Sequence, residues 1–74
     1  MMYFYEDKAT IIYMLFQTLR YTVAGVDIAE IRYEQISNGD EFAIIVYDNG
    51  RHKPVNITAD SGLALMRDIL RALE

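Results

Sequence analysis

Two Asn-Gly pairs, Asn38-Gly39 and Asn49-Gly50, stand eleven residues apart, each between segments in which apolar and polar residues alternate. Asn and Gly both tolerate the positive φ that a two-residue type I′ turn demands at its central positions, so each pair predicts a β-hairpin. Two hairpins in series make a three-stranded antiparallel meander. With two-residue loops, Ser37 faces Asp40, Gln35 faces Phe42, Tyr33 faces Ile44 and Ile31 faces Val46. The second turn sets Ile44 against Val55 and Phe42 against Ile57. Both hairpins then choose one inner face, Ile31, Tyr33, Phe42, Ile44, Val46, Val55 and Ile57, and a slip of one residue would send every side chain to the opposite face. Pro54 has no N–H to donate, which suits a third strand at the sheet edge.

Helical spacing flanks the meander on both sides. From Asp7 to about Val23, apolar residues fall at Ile12, Leu15, Phe16, Leu19 and Val23, widened by Ile11, Met14 and Thr18. The β-branched run Thr10-Ile11-Ile12 favours a strand locally, but seventeen residues exceed a normal strand. Asp7 is the expected N-cap, Gly25 the expected C′ glycine, and Lys8, Gln17 and Arg20 the water-facing residues. After Thr58 a second stripe runs through Leu63, Met66, Leu70 and Leu73, extended by Leu65, Ile69 and Ala72. Asp60, with Thr58 as second choice, is the expected cap, and Arg67 and Arg71 suit the negative pole of the helix dipole. The expected fold class is α+β, in the order α-β-β-β-α, with both helices packed on the inner face of the sheet. No linker or repeat divides the 74 residues, so residues 1–74 read as one small domain. Met1 to Tyr5 is open to three readings: a fourth strand, a helix extension or a tail.

Composition narrows the function classes. A 74-residue domain buries only about 60% of its unfolded surface, so its stability is marginal and self-association is a common remedy. The chain is 53% apolar without any run of about 20 apolar residues that could span a bilayer. Its first residues lack a basic n-region and a small-residue cleavage site, which makes the cytoplasm the default location. With no cysteine there is neither disulfide nor thiolate chemistry. The formal charge of −4, with seven basic residues scattered among eleven acidic ones, argues against nucleic-acid binding.

The two-residue register places Glu30, Arg32, Glu34, Ala43, Ile45, Tyr47, His52, Pro54 and Asn56 on the outer face. An apolar centre with a charged rim is how interaction surfaces are built, so Arg32, Ala43, Ile45, Tyr47 and His52 are the expected protein-contact residues. A central strand rich in β-formers, or Met1 to Tyr5 folded back over it, would explain the same pattern. Arg32 between Glu30 and Glu34 reads as a solvated ion-pair cluster; the two carboxylates have no second histidine, nucleophile or Gly-rich cradle beside them, so no enzyme is expected. His52, the single histidine, makes a poor zinc site, and no metal or cofactor is expected. Asp48-Asn49-Gly50 lacks the closing glutamate of a calcium loop, and Asp60 would repel an anion from Ser61-Gly62. Of the six tyrosines, Tyr13, Tyr21 and Tyr33 fall where partial burial is expected, leaving Tyr3, Tyr5 and Tyr47 exposed.

The α-β-β-β-α order resembles that of double-stranded RNA-binding domains, which carry a lysine cluster at the start of the last helix. Here that position reads Thr58-Ala59-Asp60-Ser61-Gly62-Leu63, so RNA binding by that route is not expected. Across the last third, Pro54-Val55-Asn56-Ile57 followed by Asp60-Ser61 and Ala64-Leu65-Met66-Arg67-Asp68-Ile69 resembles small uncharacterised proteins of phages and mobile elements of gut and Gram-positive bacteria. That resemblance implies an accessory role. The expectation is a non-enzymatic protein-interaction domain, a homodimer joined through its second sheet face; the alternative is a monomeric phage or mobile-element inhibitor or adaptor that binds a host protein.

Overall fold

In a computed structural model, which describes residues 7–74, the chain forms α1 (Lys8–Leu19), a 3-10 turn (Val23–Gly25), β1 (Ile28–Gln35), β2 (Glu41–Tyr47), β3 (His52–Asn56) and α2 (Gly62–Ala72). This is the α-β-β-β-α order read from the sequence. The strands form one antiparallel sheet in the order β1-β2-β3, so Pro54 does lie on an edge strand. The helices share one side of the sheet, α1 against β1 and α2 against β3. Met1 to Tyr5, and with it Tyr3 and Tyr5, lies outside the described residues.

The helix boundaries differ from expectation for local reasons. Asp7 caps α1 as expected, its carboxylate accepting the Thr10 N–H at 2.8 Å. The helix then stops at Leu19, whose carbonyl accepts both the Thr22 hydroxyl at 2.8 Å and the Thr22 N–H at 2.9 Å. Gly25 is therefore not the C′ glycine. It is buried against the end of α1, where an added Cβ would run into the Leu19 carbonyl, so the glycine is required by close approach. Beyond the helix end, Tyr21 is 85% and Val23 90% exposed. Tyr13 is exposed as well, because it falls on the outer side of α1. At the second helix neither Asp60 nor Thr58 is the cap. Ser61 is, accepting the Ala64 N–H at 3.2 Å. The buried stripe of α2 runs through Leu65 and Ile69, while Leu63 is 78% exposed and Leu70 also faces outward.

The sheet register is shifted by one residue from expectation. Tyr33 lies opposite Ala43, Ile31 opposite Ile45, and Ala43 opposite Val55. Both loops contain three residues instead of two. In the first, the Gly39 N–H bonds the Ile36 carbonyl and the Ile36 N–H bonds the Asp40 carbonyl, each at 2.9 Å. In the second, the Gly50 N–H bonds Tyr47 at 2.9 Å and the Tyr47 N–H bonds Arg51 at 2.8 Å. Such a loop is a type I turn closed by a bulge, and it needs positive φ only at its last residue. Gly39 (φ 96°) and Gly50 (φ 87°) supply it, and no other described residue has positive φ. Asn38 and Asn49 serve through their side chains instead, whose oxygens accept the N–H of Asp40 at 2.8 Å and of Arg51 at 2.9 Å.

The shift exchanges the two faces of β2. Ala43 and Ile45, each 0% exposed, join Ile12, Leu19, Ile28, Ile31, Ile57, Leu65 and Ile69 in the core, and Tyr47 packs against it. Phe42, Ile44 and Val46, expected inside, lie on the side without helices. A bulge in β1 lets Ile28 and Ile31, three positions apart, both face the core: Ile28 opposes Tyr47 while Glu30 opposes Val46, which leaves Ala29 as the extra residue.

Candidate interaction surface

Strand pairing arranges the open side of the sheet as a grid of three rows. Glu34, Phe42 and Asn56 form the first, Arg32, Ile44 and Pro54 the second, and Glu30, Val46 and His52 the third. Alternation along each strand sends these nine side chains to the same side, opposite the buried Ile31, Ala43 and Ile45 and the half-buried Val55. The β2 column is apolar and half-buried between its neighbours, while the β1 and β3 residues are exposed. Of the residues expected to make protein contacts, Arg32 and His52 do lie on this side, at opposite edges. Ala43, Ile45 and Tyr47 do not, because the three-residue loops turn them to the helices. Sequence reasoning missed Phe42, Ile44 and Val46; the signal available was the loop, since Ser37-Asn38-Gly39 and Asp48-Asn49-Gly50 both suit a type I turn ending in glycine.

The charged column is internally neutralised. Arg32 reaches Glu30 at 3.7 Å and Glu34 at 3.9 Å, all three side chains being roughly half exposed, so these pairs contribute at most about 1 kcal/mol each. Neither carboxylate has the buried surroundings that would prepare it for proton transfer. His52, Arg51 and Lys53 are consecutive, but alternation separates them: His52 faces the open side, and Arg51 and Lys53 the other. Lys53 is tied to the end of α2 by a 2.6 Å bond to the Ala72 carbonyl. Tyr47, Asn49, Arg51, His52 and Lys53 line a shallow groove beside the second turn. Among the described residues no group of three or more His, Cys, Asp or Glu side chains is placed to hold a metal, and no helix is long and apolar enough to cross a membrane.

A polar tie on the helix side fixes the grid from behind. Lys8, expected to face water, reaches Glu41 Oε1 at 2.7 Å, the Ile57 carbonyl at 2.9 Å and the Thr58 carbonyl at 3.2 Å. The other oxygen of Glu41 accepts the Tyr33 hydroxyl at 2.6 Å. These two bonds, Lys8 first, hold the Glu41 carboxyl below its ordinary pKa, and Glu41 in turn raises that of Tyr33. The Lys8 ammonium thus donates to three acceptors inside the fold, Glu41 accepts from both Lys8 and Tyr33, and the cluster joins the first turn of α1 to all three strands. No protein-family model, curated protein or solved structure matches this chain.

Proposed function

We propose that this chain is a non-enzymatic protein-interaction domain whose contact surface is the open side of the sheet. The single observation that carries the reading is the unbroken apolar column Phe42, Ile44 and Val46, on the side opposite both helices and bordered by Glu30, Arg32 and Glu34. A sheet side left to water is expected to alternate into polar residues, whereas an apolar centre inside a polar rim suits a protein partner. The arrangement of charge supports binding over catalysis, since both rim carboxylates are engaged with Arg32 and His52 lies on the far edge of the grid.

Ile44→Glu tests the reading. The side chain lies outside the core, so circular dichroism and the unfolding transition should stay close to those of the wild type. Affinity capture with tagged wild type and tagged variant is then compared. Protein retained by the wild type and lost by the variant is the expected result; equal retention by both would place the contact elsewhere and overturn the assignment.

A further inference from the structure

We infer that the outer edge of β1 is a pairing surface for a second copy of this chain, joined antiparallel about a two-fold axis at Tyr33 to give a continuous six-stranded sheet. The inference goes beyond the open-face reading above: it assigns the sheet edge to a second copy and leaves the open side to a different protein. The two sheet edges are built differently. On β3, alternation from the Tyr47–Arg51 bond turns His52, Pro54 and Asn56 outward, so the centre of that edge has no N–H to offer. On β1, the Ile36–Asp40 bond fixes the opposite phase: Arg32 and Glu34 bond toward β2, and Ile31, Tyr33 and Gln35 turn their N–H and C=O groups outward. Among the described residues no backbone group of another element bonds this edge.

Charge selects the register. Residues directly opposite in an antiparallel pair share a face, so an axis at Arg32 would set arginine against arginine. An axis at Ile31 would oppose Arg32 to Glu30, but it runs the pairing through the bulge at Ala29. With the axis at Tyr33, Arg32 opposes Glu34 of the other copy twice over, and Ile31 and Gln35 pair around it, making about six main-chain hydrogen bonds. The alternation Glu30-Arg32-Glu34, which gives only weak pairs within one chain, is therefore self-complementary across this axis. Area also favours the edge over face-to-face stacking. Strand spacing and rise give the nine-residue grid roughly 250 Å² in projection, well short of the ~800 Å² per partner of a standard interface. Edge pairing draws on main-chain bonds, and it puts both apolar columns on the same side of one continuous sheet, with the two β1 strands between them.

Three single variants and one mixture test this, each read as solution mass by sedimentation or light scattering over a range of concentrations. Wild type should reach twice the chain mass, while Arg32→Glu and Glu34→Arg, each of which sets like charges opposite across the axis, should each stay at the chain mass. Mixed one to one, these two variants should recover the doubled mass, because each of the two pairs across the axis then sets a glutamate of the Arg32→Glu chain against an arginine of the Glu34→Arg chain. Ile44→Glu should leave the doubled mass unchanged. A wild type that remains monomeric throughout, edge variants that still dimerise, or a mixture that does not recover would overturn the edge pairing. Loss of the dimer in Ile44→Glu alone would also overturn it, while leaving the open face as the contact surface.

Discussion

Ile44 and Ile45 are neighbours in sequence with opposite environments, and the difference is the most direct check on which residues the fold uses. Ile45 is 0% exposed, and truncation to alanine should cost about 2–5 kcal/mol. That is a large share of the total for 74 residues at ~0.05–0.15 kcal/mol each. Ile44→Ala, on the open side, should cost clearly less; urea midpoints of the two variants decide it, and the reverse ranking would mean the register is wrong. The titratable residues give a second check. Glu41, Asp7 and Asp68 have pKa values lowered in the fold, by Lys8, by the Thr10 N–H and by Asp60 respectively, so their contributions are present above the ordinary carboxylate pKa and are lost as pH falls through the lowered values. Asp60 runs the other way. Its buried Oδ2 has no hydrogen-bond partner among the described residues, and the neighbouring Asp68 carboxylate, with desolvation, raises its pKa. A raised carboxyl stabilises fully below its ordinary pKa and is lost as pH rises through the raised value. Asp60→Asn, which keeps a donor toward Asp68, should therefore gain stability relative to wild type as pH rises from 4 to 7. Thermal unfolding across that range measures the trend, and a constant difference would mean that the Asp60 carboxyl is not raised by Asp68.

At the scale of elements, the two loops decide the register, and they do so by the same means. Each needs left-handed backbone at its glycine alone, so Gly39→Ala and Gly50→Ala should each cost about 1–2 kcal/mol, although neither added Cβ meets any atom within 4 Å. Denaturant midpoints check this; a neutral substitution would mean that the loop relaxes to another type. The shared construction also explains why agreement between the hairpins misled the sequence reading. Both turns are Asn-Gly pairs preceded by a small polar residue, so an error of one residue in loop length enters both alike and preserves the consistency of β2. The helices were more legible. The Asp7 cap and the apolar spacing of α1 were readable, while its end was set by Thr22 folding back on Leu19, a contact that periodicity does not carry. In α2 two overlapping apolar stripes were available, and packing on β3 chose Leu65 and Ile69.

Across the whole molecule, two helices cover one side of a three-stranded sheet and leave the other to Phe42, Ile44 and Val46. The order of elements, the α+β class, the meander, the capping by Asp7 and the edge position of Pro54 followed from the sequence alone, because each depends on local backbone preference or on a periodicity carried by neighbouring residues. The facing of β2 did not. Residues 42–47 are apolar at every position, so the strand has no alternation to mark which side is buried. That assignment waits on loop length and on where the helices settle, both decided only when Ala43, the smallest side chain of the strand, and Ile45 are enclosed between the sheet and the helices. The candidate site inherits the same division: Arg32 and His52 were found because polar residues in β1 and β3 fix their own strands, and the apolar column between them emerged only from the tertiary fold.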